Sequence, residues 1–165
     1  MDGKIYILVV EDELEVMEAL VKDLEKFEAF FPVETVNNAN EAQQVMDHII
    51  EHGNKVGLML CDHVLPGKNG VDLLIDMQNR PETSDSKKVL VTGQAGHEDT
   101  ILAINKADLD HYIAKPWSQQ ELEEVVVREL TDFVIDHEKN LLPYMQILDA
   151  DKLSNAIRKN KMTDH

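Results

Sequence analysis

Five side chains able to take part in one reaction stand at the ends of apolar runs in this sequence. Glu11-Asp12 follows the run ending at Val10, and Asp62 follows the run ending at Cys61. Thr92 closes a third run and Lys115 follows a fourth. A carboxylate can attack phosphorus and form an acyl phosphate. Phosphoryl transfer asks mainly for positioning and charge neutralisation. Asp62 is the candidate nucleophile, Lys115 a fixed positive charge, and Thr92 a hydroxyl able to donate to a phosphoryl oxygen. If Glu11, Asp12 and Asp62 converge, each pair about 4 Å apart repels by about 4 kcal/mol at an effective dielectric of about 20. Either some of them protonate or a cation neutralises them. A hard, oxygen-liganded ion such as Mg²⁺ suits the cluster, with Mn²⁺ as a substitute. Each residue has a blander reading when taken singly. An Asp after a strand is usually a turn or cap residue, a Glu-Asp pair complements a helix dipole, and a Lys before Pro is usually solvated. Their joint placement is what counts.

The surrounding pattern supplies the elements that would hold them. Lys4–Val10, Val33–Asn37, Val56–Cys61, Lys88–Thr92 and His111–Ala114 read as strands. Met17, Leu20, Val21, Leu24 and Phe27 fall at helical spacing up to a stop at Phe31-Pro32. Ala42, Val45, Met46, Ile49 and Ile50 mark a second helix, with Gly53 as its C-cap. Val71–Gln78 and Glu98–Lys106 read as the third and fourth helices, and Gly93–Gly96 as a loop between strand and helix. Ser118, with Glu121 three residues on, opens the fifth as a capping box. Strand and helix thus alternate five times. That implies an α/β flavodoxin-like (βα)5 fold, a doubly wound parallel sheet of order 2-1-3-4-5. Ligands in such sheets bind at the carboxyl ends of the strands, where the order switches. Here that is between the first and third strands, where Glu11, Asp12 and Asp62 stand.

Composition bounds the function classes. The 165 residues suit one domain with an appendage, and 43% of them are hydrophobic, enough for a core. A net charge of −16 repels phosphates, so the domain is a poor nucleic-acid binder. It serves solubility, or gathers around a cation or a basic partner. No stretch approaches the roughly 20 apolar residues of a membrane span, so no membrane association is expected. The first residues lack the features of a signal peptide. One cysteine, Cys61, excludes an internal disulfide, and its apolar run implies a buried thiol. Both observations fit the cytoplasm.

At these same residues the sequence resembles the receiver domain of two-component response regulators, over about residues 4 to 130. Val9-Val10-Glu11-Asp12-Glu13 resembles the family's acidic pair. Asp62-His63-Val64-Leu65-Pro66-Gly67-Lys68-Asn69-Gly70 resembles its phosphoacceptor loop. Val91-Thr92-Gly93 resembles its switch hydroxyl, and Tyr112-Ile113-Ala114-Lys115-Pro116 its aromatic-x-x-Lys-Pro motif. The resemblance implies that Asp62 accepts a phosphoryl group from a phosphohistidine of a sensor histidine kinase or phosphotransfer protein. It implies that Asp12, Asp62 and the backbone carbonyl of Val64 ligate Mg²⁺, with Glu11 acting largely through water. Thr92 and Lys115 would bind the phosphoryl oxygens, and the rotamer of Tyr112 would follow Thr92. Lys115-Pro116 would be a cis peptide. The domain would then be a phosphorelay switch, not an enzyme beyond its own phosphorylation and slow dephosphorylation.

Beyond the receiver match, residues 1–133 give way to a helical extension or linker at 134–165. Leu122, Val126, Leu130 and Phe133 keep a helical stripe that His137 and Leu141 could extend up to Pro143. That helix either pairs with a second copy or folds back. A homodimer could also form through the face of the fourth helix, fifth strand and fifth helix. Asp149 to Asn160 reads as another short helix, basic towards its end. His48 and His52 stand one helical turn apart, a spacing able to bind a metal, but no third ligand is evident in the sequence. His137-Glu138 faintly resembles a kinase phosphoacceptor box, but the residues after it do not fit one. An FMN-binding flavodoxin would need a Ser/Thr/Gly-rich phosphate loop where Glu11-Asp12-Glu13 would repel the phosphate, and two other rival functions remain. An aspartate-nucleophile phosphatase of the haloacid-dehalogenase type would need a second Asp where Val64 stands. A receiver-like module that binds without phosphorylation would not need the full set of site residues.

Overall fold

The computed structural model describes residues 3–93 and 98–163. Past Gly93, the loop expected over Gly93–Gly96 lies outside them. Five parallel strands form one sheet in the order 2-1-3-4-5. They are β1 (Ile5–Val10), β2 (Val33–Val36), β3 (Lys55–Cys61), β4 (Lys87–Thr92) and β5 (His111–Ala114). Helices α1 (Leu14–Asp23), α2 (Ala39–Glu51), α3 (Gly70–Gln78), α4 (Glu98–Lys106) and α5 (Gln119–His137) connect and cover them, and α6 (Ala150–Thr163) comes last. The central strands are apolar throughout because both faces are covered. Ile7 and Val9 of β1 point to one face, where α1, the turn that follows it and α5 bring Leu20, Leu24, Phe27, Val126 and Leu130. Leu8 and Val10 point to the other, against Met46, Ile49, Val71 and Leu74 of α2 and α3.

Local chemistry explains where the helices begin and end. Asn38 caps α2 by accepting from the Glu41 amide at 2.8 Å, and Asn69 caps α3 by accepting from the Asp72 amide at 2.8 Å. Ser118 caps α5 by accepting from the Glu121 amide at 3.1 Å, the N-cap half of the expected capping box. Gly53 ends α2 at φ 77°, a left-handed conformation suited to glycine. The first helix is shorter than its apolar stripe suggests. It closes at Asp23, and Glu25–Phe27 forms a 3₁₀ turn. The Leu24 amide donates to the carbonyls of both Leu20 and Val21, at 3.0 and 3.2 Å. This tightening turns Phe27 and Phe31 into the core, where both are fully buried.

The segment after α5 folds back onto its own domain. The chain becomes extended at Glu138, so Leu141 reaches the core from a loop rather than along a continued helix. Leu141, Leu148 and Leu153 are buried within the same cluster as Phe31 and Phe133. Tyr144 stacks on Phe31 with ring centroids 5.6 Å apart. The Asp149 amide donates to Thr131 Oγ1 of α5 at 3.2 Å, and Lys152 pairs with Asp132 at 2.8 Å. Burial of the leucines dominates this contact, since the ion pair is half exposed. Leu153→Ala is therefore expected to lower the unfolding free energy by about 2–5 kcal/mol. Urea denaturation checks this, and an unchanged midpoint would mean that α6 does not share the cooperative unit.

Candidate functional site

Three strand ends deliver the site residues, each held by one backbone bond beyond the strand. The Glu11 amide donates to the Val36 carbonyl at 3.0 Å, at the end of β2. The Asp62 amide donates to Val10, at the end of β1, and the Lys115 amide to Thr92, at the end of β4, both at 3.0 Å. The site thus inherits the rigidity of the sheet. Glu11, Asp12 and Asp62 converge, with one ligand atom from each lying within 4.8 Å of the others. Glu11 is 1% exposed and Asp62 5%, whereas Asp12 faces solvent. Lys115 reaches across from the far side of the site. Its Nζ lies 2.7 Å from Glu11 Oε1 and 3.1 Å from Asp62 Oδ2. The Glu13 amide donates to the second Glu11 oxygen at 3.2 Å.

The electrostatics reflect burial and partnership. Burial pushes the Glu11 carboxyl above its ordinary range, and the hydrogen bonds from Lys115 and Glu13 offset part of that. Burial alone would lower Lys115, but its bond to Glu11 and the charge of Asp62 outweigh that and hold the ammonium above its usual value. One ammonium thus pairs with two carboxylates, Glu11 and Asp62, while Asp12 adds a third negative charge beside them. The donor set is all oxygen, two of its three members are buried, and its charge is incompletely balanced. Those features fit a hard divalent cation.

The loop after β3 shapes the approach. Gly70 begins α3 so close to Asp62 that a Cβ there would sit 1.8 Å from the Asp62 carbonyl oxygen. Only glycine permits that contact, and the Gly70 amide closes the loop by donating to the His63 carbonyl at 2.9 Å. The motif contained this glycine, but its physical reason is visible only in three dimensions. An open cavity of about 370 Å³ lies over the site, lined by Glu13, Asp62, Val64, Thr92, Gly93 and Lys115. Thr92 is buried at its wall, and the Val64 side chain is exposed at its rim. Tyr112 does not line the cavity. The residue is 41% exposed, and its ring stacks on His111 with centroids 6.1 Å apart. Lys115-Pro116 is cis. Beyond Pro116, Trp117 Nε1 donates to Asp23 at 2.8 Å, tying the approach to α5 onto α1. Cys61, next to Asp62, is fully buried. Burial and then the neighbouring Asp62 and Glu11 charges push its thiol far above its usual value, so it is inert as a nucleophile.

A family model described as the response regulator receiver domain matches residues 7–127. The hydrogenase transcriptional regulatory protein HoxA of Bradyrhizobium diazoefficiens is 34% identical over 73% of this chain, which spans 23% of that protein. The phosphate regulon transcriptional regulatory protein PhoB of Escherichia coli K12 is 28% identical over 92% of this chain and 62% of its own length. Among solved structures, a CheY-like response regulator receiver domain protein of Methanospirillum hungatei superposes with a TM-score of 0.67 at 29% identity, covering 79% of this chain and 96% of that one.

The crowding of charge makes a prediction of opposite signs. Two carboxylates 4.8 Å apart repel by about 3 kcal/mol at a dielectric of about 20. Asp12 is exposed, and screening reduces its share to about 1 kcal/mol. In chelator, Asp12→Asn is expected to unfold at higher urea than the unaltered protein. In excess Mg²⁺ the order is expected to reverse, because only the unaltered site gains stability from the cation. Urea melts of both proteins in both buffers check this.

Proposed function

The chain belongs to the response regulator receiver domain family, and from that premise we propose that it is a phosphorelay switch whose phosphoacceptor is Asp62. The convergence of Asp62 with Glu11 and Asp12 within 4.8 Å, beside Lys115, carries this reading. A phosphohistidine of a sensor histidine kinase or phosphotransfer protein is the donor. An Asp62 carboxylate oxygen attacks the phosphorus, and an oxygen–phosphorus bond forms as the phosphorus–nitrogen bond breaks. The electron pair returns to the donor imidazole, which takes up a proton. Asp12, Asp62 and the Val64 carbonyl are the residues that would hold Mg²⁺ or Mn²⁺, with Glu11 behind them. Such an ion neutralises charge on the phosphoryl oxygens.

The chain's own residues do the rest. The ammonium that pairs with the Asp62 carboxylate is placed to follow the charge onto a phosphoryl oxygen. The Thr92 hydroxyl, at the cavity wall, donates to another. These new contacts bias the face of α4, β5 and α5, with Tyr112 reporting the change. Exposed Ile101, Ile104 and Tyr112 on that face support docking of a partner or a second copy there. External phosphate esters are not turned over. Where a phosphatase of the haloacid-dehalogenase type needs a second Asp, Val64 has no proton to give. No helix among the described residues is long and apolar enough to cross a membrane. The free buried thiol suits a reducing cytoplasm. The matched transcriptional regulators are longer than this chain, and control of an output by this receiver belongs to the same proposal.

With acetyl phosphate and Mg²⁺ the protein is expected to take up a single phosphoryl group. Asp62→Asn and chelation should each abolish uptake. Thr92→Ala should slow it by about 100-fold, as the loss of one preorganised donor does. Uptake by Asp62→Asn at the unaltered level would overturn the reading.

A further inference from the structure

A pair of histidines lies at the opposite end of the sheet from the acidic cluster. His48 projects from the last turn of α2 and His52 caps the end of that helix four residues on, and both are exposed. Their rings are 4.1 Å apart between centroids and inclined at 42°. His52 Nδ1 lies 2.8 Å from the His48 carbonyl oxygen. A carbonyl only accepts, so this bond places a proton on Nδ1, and in the neutral ring the lone pair is then on Nε2. Metal-bound histidines are oriented by the same kind of partner. Both rings line a cavity of about 320 Å³ that also receives Tyr6, Glu34 and Asn54. Tyr6 is the second residue of β1, and Asn54 precedes β3, so the cavity lies at the amino ends of the strands. The Asp62 site lies at the opposite ends.

We propose that His48 and His52 chelate a borderline-soft divalent ion such as Zn²⁺ at this cavity. The sequence shows no third ligand near the pair, but the fold brings Glu34 of β2 to the same cavity. Among the described residues only Glu11, Asp12 and Asp62 already hold three ligand atoms within 4.8 Å. The ligands are therefore the two imidazoles, with water filling the remaining positions, and Glu34 contributes negative charge to the cavity rather than a ligand atom. Imidazole selects zinc, copper or nickel, whereas the all-oxygen cluster selects Mg²⁺. The two sites therefore discriminate between ions by donor chemistry. A helix holds the pair at chelating spacing before the ion arrives, which lowers the ordering cost of binding.

Calorimetric titration with Zn²⁺ in a saturating excess of Mg²⁺ tests this. The full chain should bind a single equivalent. His48→Ala and His52→Ala should each weaken binding by about tenfold or more, with unchanged circular dichroism. Asp12→Asn should leave it intact. With Cu²⁺ as the probe, electron paramagnetic resonance should show nitrogen coupling that the same two substitutions remove. Absence of Zn²⁺ binding in Mg²⁺, equal binding by the histidine variants, or loss only in Asp12→Asn would overturn the proposal.

Discussion

Glu11 and Asp62 are buried with a single ammonium, that of Lys115, bridging them at 2.7 and 3.1 Å. Asp12 adds a third carboxylate at the solvent edge. Desolvating charge is costly unless the partners are well placed, and here two buried carboxylates share one close ammonium beside a third carboxylate. The remaining imbalance makes the site receptive to a cation and to chemistry at Asp62. It also works against stability, a common feature of functional sites. The rest of the structure holds this imbalance in place. Three strand-end amides anchor Glu11, Asp62 and Lys115 to neighbouring strands, and fully buried residues such as Val9, Val10, Leu60 and Cys61 stand directly behind them.

The order of the sheet is as important as the residues. Placing β1 between β2 and β3 brings the ends of β1 and β3 together at the switch in strand order. Lys115 then approaches from the end of β5, two strands away from β3, and only a long side chain can bridge that span. The second sheet-flanking layer is completed from the other end of the chain. Leu141, Leu148 and Leu153 cover part of the face formed by α1 and α5, and Tyr144 lies against Phe31. The extension is therefore built into the core that supports β1.

Much of this was legible in the sequence because it rests on local signals. The strand-end positions of Glu11, Asp62, Thr92 and Lys115 follow from apolar runs, and the sheet order follows from strict alternation. The cap at Ser118 and the left-handed Gly53 are short-range patterns. The features that escaped it depend on contacts between distant segments. The apolar stripe of the first helix runs on to Phe27, yet packing of Phe27 and Phe31 closes the helix at Asp23 and tightens the chain into a 3₁₀ turn. Leu141 continues a helical spacing but reaches the core from a loop. Lys88 would pass for a solvated strand residue, yet it is 1% exposed, with its ammonium donating to the Ser84 and Ser86 carbonyls at 2.9 and 2.8 Å. Burial pulls its pKa down against the nearby acidic side chains. Periodicity cannot report such arrangements because the groups involved belong to loops that fold over the strand. The same holds for Glu34, which only the sheet brings to the cavity lined by His48 and His52.

The most direct measurement of the central claim is the position of the acyl phosphate itself. After incubation with a phosphodonor and Mg²⁺, borohydride reduction converts a phosphorylated aspartate to homoserine, and peptide sequencing by mass spectrometry then locates it. Homoserine at position 62 alone is the predicted result. Homoserine at position 12, or a phosphoryl group recovered on another residue with Asp62 unmodified, would contradict it.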